Sequence, residues 1–115
     1  MVKLSGICLV PEAKVVRYLL NELHPDGAPK ARFFKLFGFD PDRPNDLMNA
    51  ISSHPEVNPV VNSVAHKLGL KSVVQCNLAS PDGRNPCVLT VWILEHGTNV
   101  HRLVTAYPAK TVSSN

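Results

Sequence analysis

At Gly69 the hydrophobic pattern changes period, and this change limits the fold more than any other feature of the chain. Beyond it, apolar residues alternate with a period of two in the runs 72–78, 87–95 and 100–107, rich in Val, Leu, Ile and Trp, as half-buried strands require. Ser80-Pro81-Asp82-Gly83 and His96-Gly97-Thr98-Asn99 separate these runs and suit hairpin turns. Before Gly69 the spacing is helical. Pro11 and Glu12 open a predicted helix over 11–22, with Val15, Val16, Leu19 and Leu20 on one face. Asp26-Gly27 marks a turn, and Pro29 opens a second helix whose Phe33, Phe34 and Phe37 face the core until Gly38 closes it. After the Pro41–Pro44 loop, Asn45 or Asp46 caps a third helix through Leu47, Met48 and Ile51 to about Ser53. Residues 1–10 suit a strand or an ordered arm, and 54–67 suit either a short helix or an irregular strand. Helices first and strands last predict an α+β fold, with N-terminal helices packed on a C-terminal antiparallel meander of three or more strands.

A chain of 115 residues supports one modest core, so residues 1–108 are expected to form one globular domain and 109–115 a flexible tail. Pro11, Glu12 and Lys14 interrupt the apolar N-terminal stretch before it reaches the length of a signal-peptide core or a spanning helix, so no membrane association is expected. Cys8, Cys76 and Cys87 are odd in number and lack CxxC spacing, which argues against a disulfide framework or zinc knuckle and for a reducing, cytoplasmic location. His54, His66 and His96 show no two-ligand spacing on one element, and no metal or cofactor is predicted.

The net charge of +3 is too small to announce a nucleic-acid partner, but its distribution is uneven. Residues 1–38 hold six cations against three acids, 39–60 one against four, and 61–115 five against two. Each basic segment contains a polar motif. In the first, HPDGAPKARFF at 24–34, Lys30 and Arg32 occupy the opening turn of a helix, where cations oppose the helix dipole and a bound anion would reconcile them. In the second, HRLVTAYP at 101–108, strict alternation puts His101, Leu103, Thr105 and Tyr107 on one side and Arg102, Val104 and Ala106 on the other. Val104 and Ala106 are the better core pair, which turns Thr105, Tyr107 and His101 outward; Arg102 joins them only if a bulge interrupts the strand.

The pattern His-Pro-x-Gly-x-x-Lys-Ala-x-x-Phe, a Gly-containing hairpin, the Val-Trp-Ile strand and Arg-Leu-Val-Thr-Ala-Tyr-Pro together resemble an uncharacterised bacterial domain family. Its members occur alone and at the ends of large polymorphic toxins, and the resemblance spans residues 11–108. Their helices-then-sheet order and terminal strand are similar in turn to the wider ribonuclease superfamily of barnase, EndoU, the tRNase colicins and RelE. The resemblance implies metal-independent RNA cleavage, with a histidine or lysine from the helical half facing Thr, Arg or Tyr side chains of the sheet. It places the catalytic group on His24, Lys30, Arg102, Thr105 and Tyr107. This chain departs from the family pattern in having His101 where proline is common and Val73 where an aromatic is common, which bears on strand geometry and base stacking.

Cleavage by attack of the ribose 2′-OH on the adjacent phosphate requires a base, an acid and cations on the phosphate. His24 is the one residue near the first motif of a type whose unperturbed pKa suits proton transfer near neutrality; Lys30 and Arg102 hold the phosphate; Thr105 and Tyr107 donate hydrogen bonds; Arg32 and His101 are substrate-binding candidates. The expected partners are an RNA substrate and a small antitoxin or immunity protein. Each residue also has a plain structural reading. His24 before proline shapes a turn, Lys30 is a solvated lysine at a helix end, Thr105 and Tyr107 are ordinary strand residues, and Trp92 is core. Two other classes therefore stay open: a non-catalytic RNA- or protein-binding module of the antitoxin or immunity kind, and a housing domain of a larger assembly.

Overall fold

A computed structural model of the chain describes residues 2–109. In chain order the elements are β1 (Ile7–Leu9), α1 (Glu12–Lys14) running directly into a π-helical turn (Val15–Leu19), α2 (Ala28–Leu36), α3 (Pro44–Val57), β2 (Val60–His66), β3 (Gly69–Asn77), β4 (Cys87–Glu95) and β5 (Val100–Pro108). This is the α+β order that the change of period predicts. The strands form one sheet in the order β1-β5-β4-β3-β2. β2 to β5 make an antiparallel meander, and β1 joins β5 in parallel at the far edge. Of the predicted tail, residues 110–115 lie outside the described residues.

The helices pack on one face of the sheet. Leu19, Phe34, Leu47 and Ile51 meet Val74, Val88, Trp92 and Leu103, all fully or almost fully buried. Trp92 is core, as its strand position suggests, and its indole N–H donates to Thr90 Oγ1 at 2.8 Å.

Three local expectations are corrected. The first helix is α-helical only over Glu12–Lys14, because the Leu20 N–H reaches back to the Val15 carbonyl at 2.9 Å and closes a wider five-residue turn. That turn keeps Val15, Leu19 and Leu20 in the core and leaves Val16 exposed. The third helix runs on through Pro55 to Val57 instead of ending near Ser53. His54 holds it there from within the core, its Nδ1 at 2.9 Å from Thr90 Oγ1 and its Nε2 at 2.7 Å from the Cys76 carbonyl. Asn58 Nδ2 donates to the His54 carbonyl at 2.9 Å and so serves a helix-end acceptor. The remainder of the ambiguous stretch 54–67 becomes β2.

The third correction falls on β5. Register with β4 steps from Val91↔Thr105 to Trp92↔Leu103, so Val104 has no partner and forms a bulge. The core side therefore changes parity along the strand: His101 and Leu103 face the helices before the bulge and Ala106 after it, while Val104 is exposed. Arg102 pairs with Ile93 and Thr105 with Val91, which alternate on the side away from the helices. One extra residue thus brings Arg102, Thr105 and Tyr107 to the same face and turns His101 inward.

Candidate active site

β1 ends at Leu9 opposite Arg102, so from Leu103 onward this strand leaves the outer edge of β5 uncovered. The π-turn and α2 stand beside that edge. Tyr18, in the π-turn, reaches across to β5 with its phenol oxygen 3.4 Å from Thr105 Oγ1. A cleft of about 500 Å³ opens here, lined by Tyr18, Pro29, Lys30, Thr105, Tyr107 and Pro108. Lys30 and Thr105, seventy-five residues apart in sequence, share this cleft with Tyr107.

Tyr18 also walls a second cleft of about 500 Å³, lined with it by Pro11, Ala13, Lys14, Arg17 and His24. The Lys30 ammonium lies 5.0 Å and the Lys14 ammonium 5.4 Å from the centre of the Tyr18 ring, within cation–π range. Burial by itself pushes the phenol's pKa up. The Lys30 and Thr105 groups beside its oxygen, with the charges of Lys30 and Lys14, outweigh that and hold it below the ordinary tyrosine value.

His24 stacks edge-on against the same ring, with centroids 5.0 Å apart. Its Nδ1 accepts the backbone N–H groups of Asp26 and Gly27, both at 3.0 Å. In the neutral imidazole the ring proton therefore sits on Nε2, and Nδ1 is occupied in shaping the turn. Gly27 belongs to the same construction: a Cβ there would fall against the Tyr18 carbonyl oxygen, closer than van der Waals contact allows. The His-Pro-Asp-Gly motif is thus the seat on which Tyr18 rests.

The other predicted site residues are placed apart. Arg102 is exposed on the open face of β5, on the same side as Thr105 but outside the cleft lining. Arg32 is exposed on α2 and lines neither cleft. His101 is buried, its Nδ1 without a partner among the described residues, and burial lowers its pKa. The inward turn before the Val104 bulge is what removes it from the site. Tyr18 escapes a reading by periodicity, since it sits among the apolar residues of a helix face; the available signal is an aromatic with a polar tip four residues after Lys14 and close to a positive motif.

Elsewhere, a depression of about 440 Å³ between α3 and the β3–β4 connection is lined by Asp46, Asn49 and Ser53 and, among the described residues, by no cationic side chain. Among the described residues, no three His, Cys, Asp or Glu side chains come together as metal donors, and no helix is long and apolar enough to cross a membrane. Cys8, Cys76 and Cys87 are free.

The family model for a domain of unknown function, DUF6883, matches residues 5–110 and so takes in both motifs and the cleft between them. The chain belongs to this family. No curated protein matches this DUF6883 domain in sequence. In structure it is similar to a chain of the contact-dependent growth inhibition toxin–immunity protein complex from Klebsiella pneumoniae 342. That match has a TM-score of 0.66 and 16% identity, covering 92% of this chain and 95% of that one. The likeness establishes a shared fold over nearly the whole length of both.

Proposed function

We propose that this DUF6883 domain is a metal-independent endoribonuclease of the toxin kind, acting in the cytoplasm and neutralised by a small antitoxin or immunity protein. One observation carries the reading: a cation from the helical half, Lys30, and hydroxyls from the sheet, Thr105 and Tyr107, line a single cleft around a phenol. Folding does not require a lysine in the first turn of α2, whose first turn holds no acidic residue to offset it, whereas a phosphate in the cleft would use it. Lys30 then holds the scissile phosphate, Thr105 and Tyr107 donate to its oxygens, and Arg102 takes a flanking phosphate on the open face of β5. The shared fold with a chain of a toxin–immunity complex supports a toxin or immunity setting, in which a toxin is paired with a neutralising partner.

The test is incubation of the purified domain with total RNA in excess EDTA. The expected products carry 2′,3′-cyclic phosphate and 5′-hydroxyl ends, in the same yield with and without chelator. Activity that disappears with EDTA and returns with Mg²⁺ or Mn²⁺ would overturn the metal-independent chemistry. A second reading, an RNA-binding module without activity, is favoured by the engagement of His24 Nδ1 in the turn, which removes the histidine from proton transfer in this conformation. RNA that is bound and recovered intact would select it.

A further inference from the structure

Metal-free cleavage needs a group to take the 2′-OH proton, and the cleft holds one that the motifs do not contain. Tyr18 is the residue common to both clefts. It sits on a π-helical turn, a local rearrangement found often at functional sites, and there its ring is half-buried against the edge of the core while Leu19 and Leu20 are buried within it. The groups facing it come from every neighbouring element: Lys14 and Arg17 from its own helix, His24 from the turn, Lys30 from α2, Thr105 and Tyr107 from β5. Among the described residues, no carboxylate lines either cleft. A phenol ringed by cations and hydroxyls is built to carry negative charge on its oxygen.

We propose that Tyr18 is the general base of the cleft. The assignment rests on the ribonuclease reading and supplies the proton acceptor that His24 does not. The ionised phenol takes the proton from the ribose 2′-OH. The 2′-oxygen forms its bond to phosphorus as the bond from phosphorus to the 5′-oxygen breaks, and the departing oxygen takes a proton from the Lys30 ammonium. Lys30 recovers a proton by way of solvent from the newly formed phenol, so both groups return to their starting states. Thr105, 3.4 Å from the phenol oxygen, holds that oxygen toward the strand on which Tyr107 also stands.

Tyr18→Phe keeps the ring, its packing and its cation contacts and deletes only the oxygen. The expected result is a loss of cleavage of roughly 10² to 10⁴-fold with RNA affinity unchanged, and removal of the rise in rate with pH that deprotonation of a base produces. Cleavage by Tyr18→Phe at the wild-type rate would overturn the assignment and leave the ribonuclease reading standing. Wild-type protein that cleaves no RNA would overturn both. An independent readout needs no substrate: the chain has two tyrosines, so ultraviolet titration of the folded Tyr107→Phe variant reports Tyr18 alone. Ionisation below the usual tyrosine value supports the activated phenol, and ionisation at or above about 10 overturns it.

Discussion

Lys30 and His24 lie on one motif but touch the site differently, and their replacements should separate accordingly. Lys30→Ala deletes one cation from the cleft, so it should weaken both RNA binding and cleavage. It should also reduce the slope of log affinity against log salt by about 0.7 for single-stranded RNA. Filter binding over a salt series measures this directly. The fold should be unaffected, since the lysine opposes the dipole of α2. His24→Ala should instead cost roughly 1 to 2 kcal/mol in urea denaturation, because two backbone N–H groups lose their acceptor. It should also lower cleavage by loosening the turn on which Tyr18 rests. His24→Asn discriminates between roles, as its side-chain oxygen can accept the same N–H two residues on. Recovery of both stability and cleavage by asparagine fits a turn-shaping histidine; stable protein without cleavage would return proton transfer to His24.

At the scale of elements, the π-turn and the loop after it form one piece. The backbone of Gly27 passes so close to the Tyr18 carbonyl that any side chain must push the two apart. The φ of Gly27 is −87°, well within what other residues adopt, so the constraint is contact and not backbone strain. Gly27→Ala should therefore destabilise by about 1 to 3 kcal/mol through overpacking and should shift Tyr18 away from Thr105. Urea denaturation reads the first effect, and the titration of Tyr18 in the Tyr107→Phe background reads the second as a move back toward the ordinary tyrosine value. A variant with wild-type stability and an unmoved titration would show that the loop and the π-turn are not coupled.

For the molecule as a whole, two buried histidines set the response to acid. Burial lowers the pKa of His54, more than its contacts with the Cys76 and Val88 carbonyls raise it, and burial alone lowers that of His101. Both folded values lie below the unfolded value of about 6.5. The unfolded chain therefore binds more protons below that pH, and the contribution of these groups to stability is present above about 6.5 and lost as pH falls toward the folded values. The urea midpoint should drop steadily between about pH 7 and pH 5. His101→Leu should flatten that drop, and it sacrifices no hydrogen bond of Nδ1. A midpoint that holds steady or rises with acidification would contradict the sign.

Much of this was legible in the sequence because local chemistry decided it. The period-two runs became β3, β4 and β5, Gly38 closes α2 at a φ of +101°, and the pairing of Lys30 with Thr105 and Tyr107 follows from two motifs whose polarity folding alone does not explain. What the sequence could not show depends on long-range contact. Strict alternation misjudged Val104 because a bulge appears only when β5 is laid against β4. The third helix, expected to end near Ser53, runs on through Pro55 to Val57 because His54 bonds Thr90 and Cys76, distant in sequence. Tyr18 carries no signal in the periodicity, and only the π-turn and Gly27 bring it to the edge of β5. Periodicity and turn chemistry act within a few residues, whereas bulges, buried hydrogen bonds and the approach of two elements are settled by partners that only the folded chain brings near.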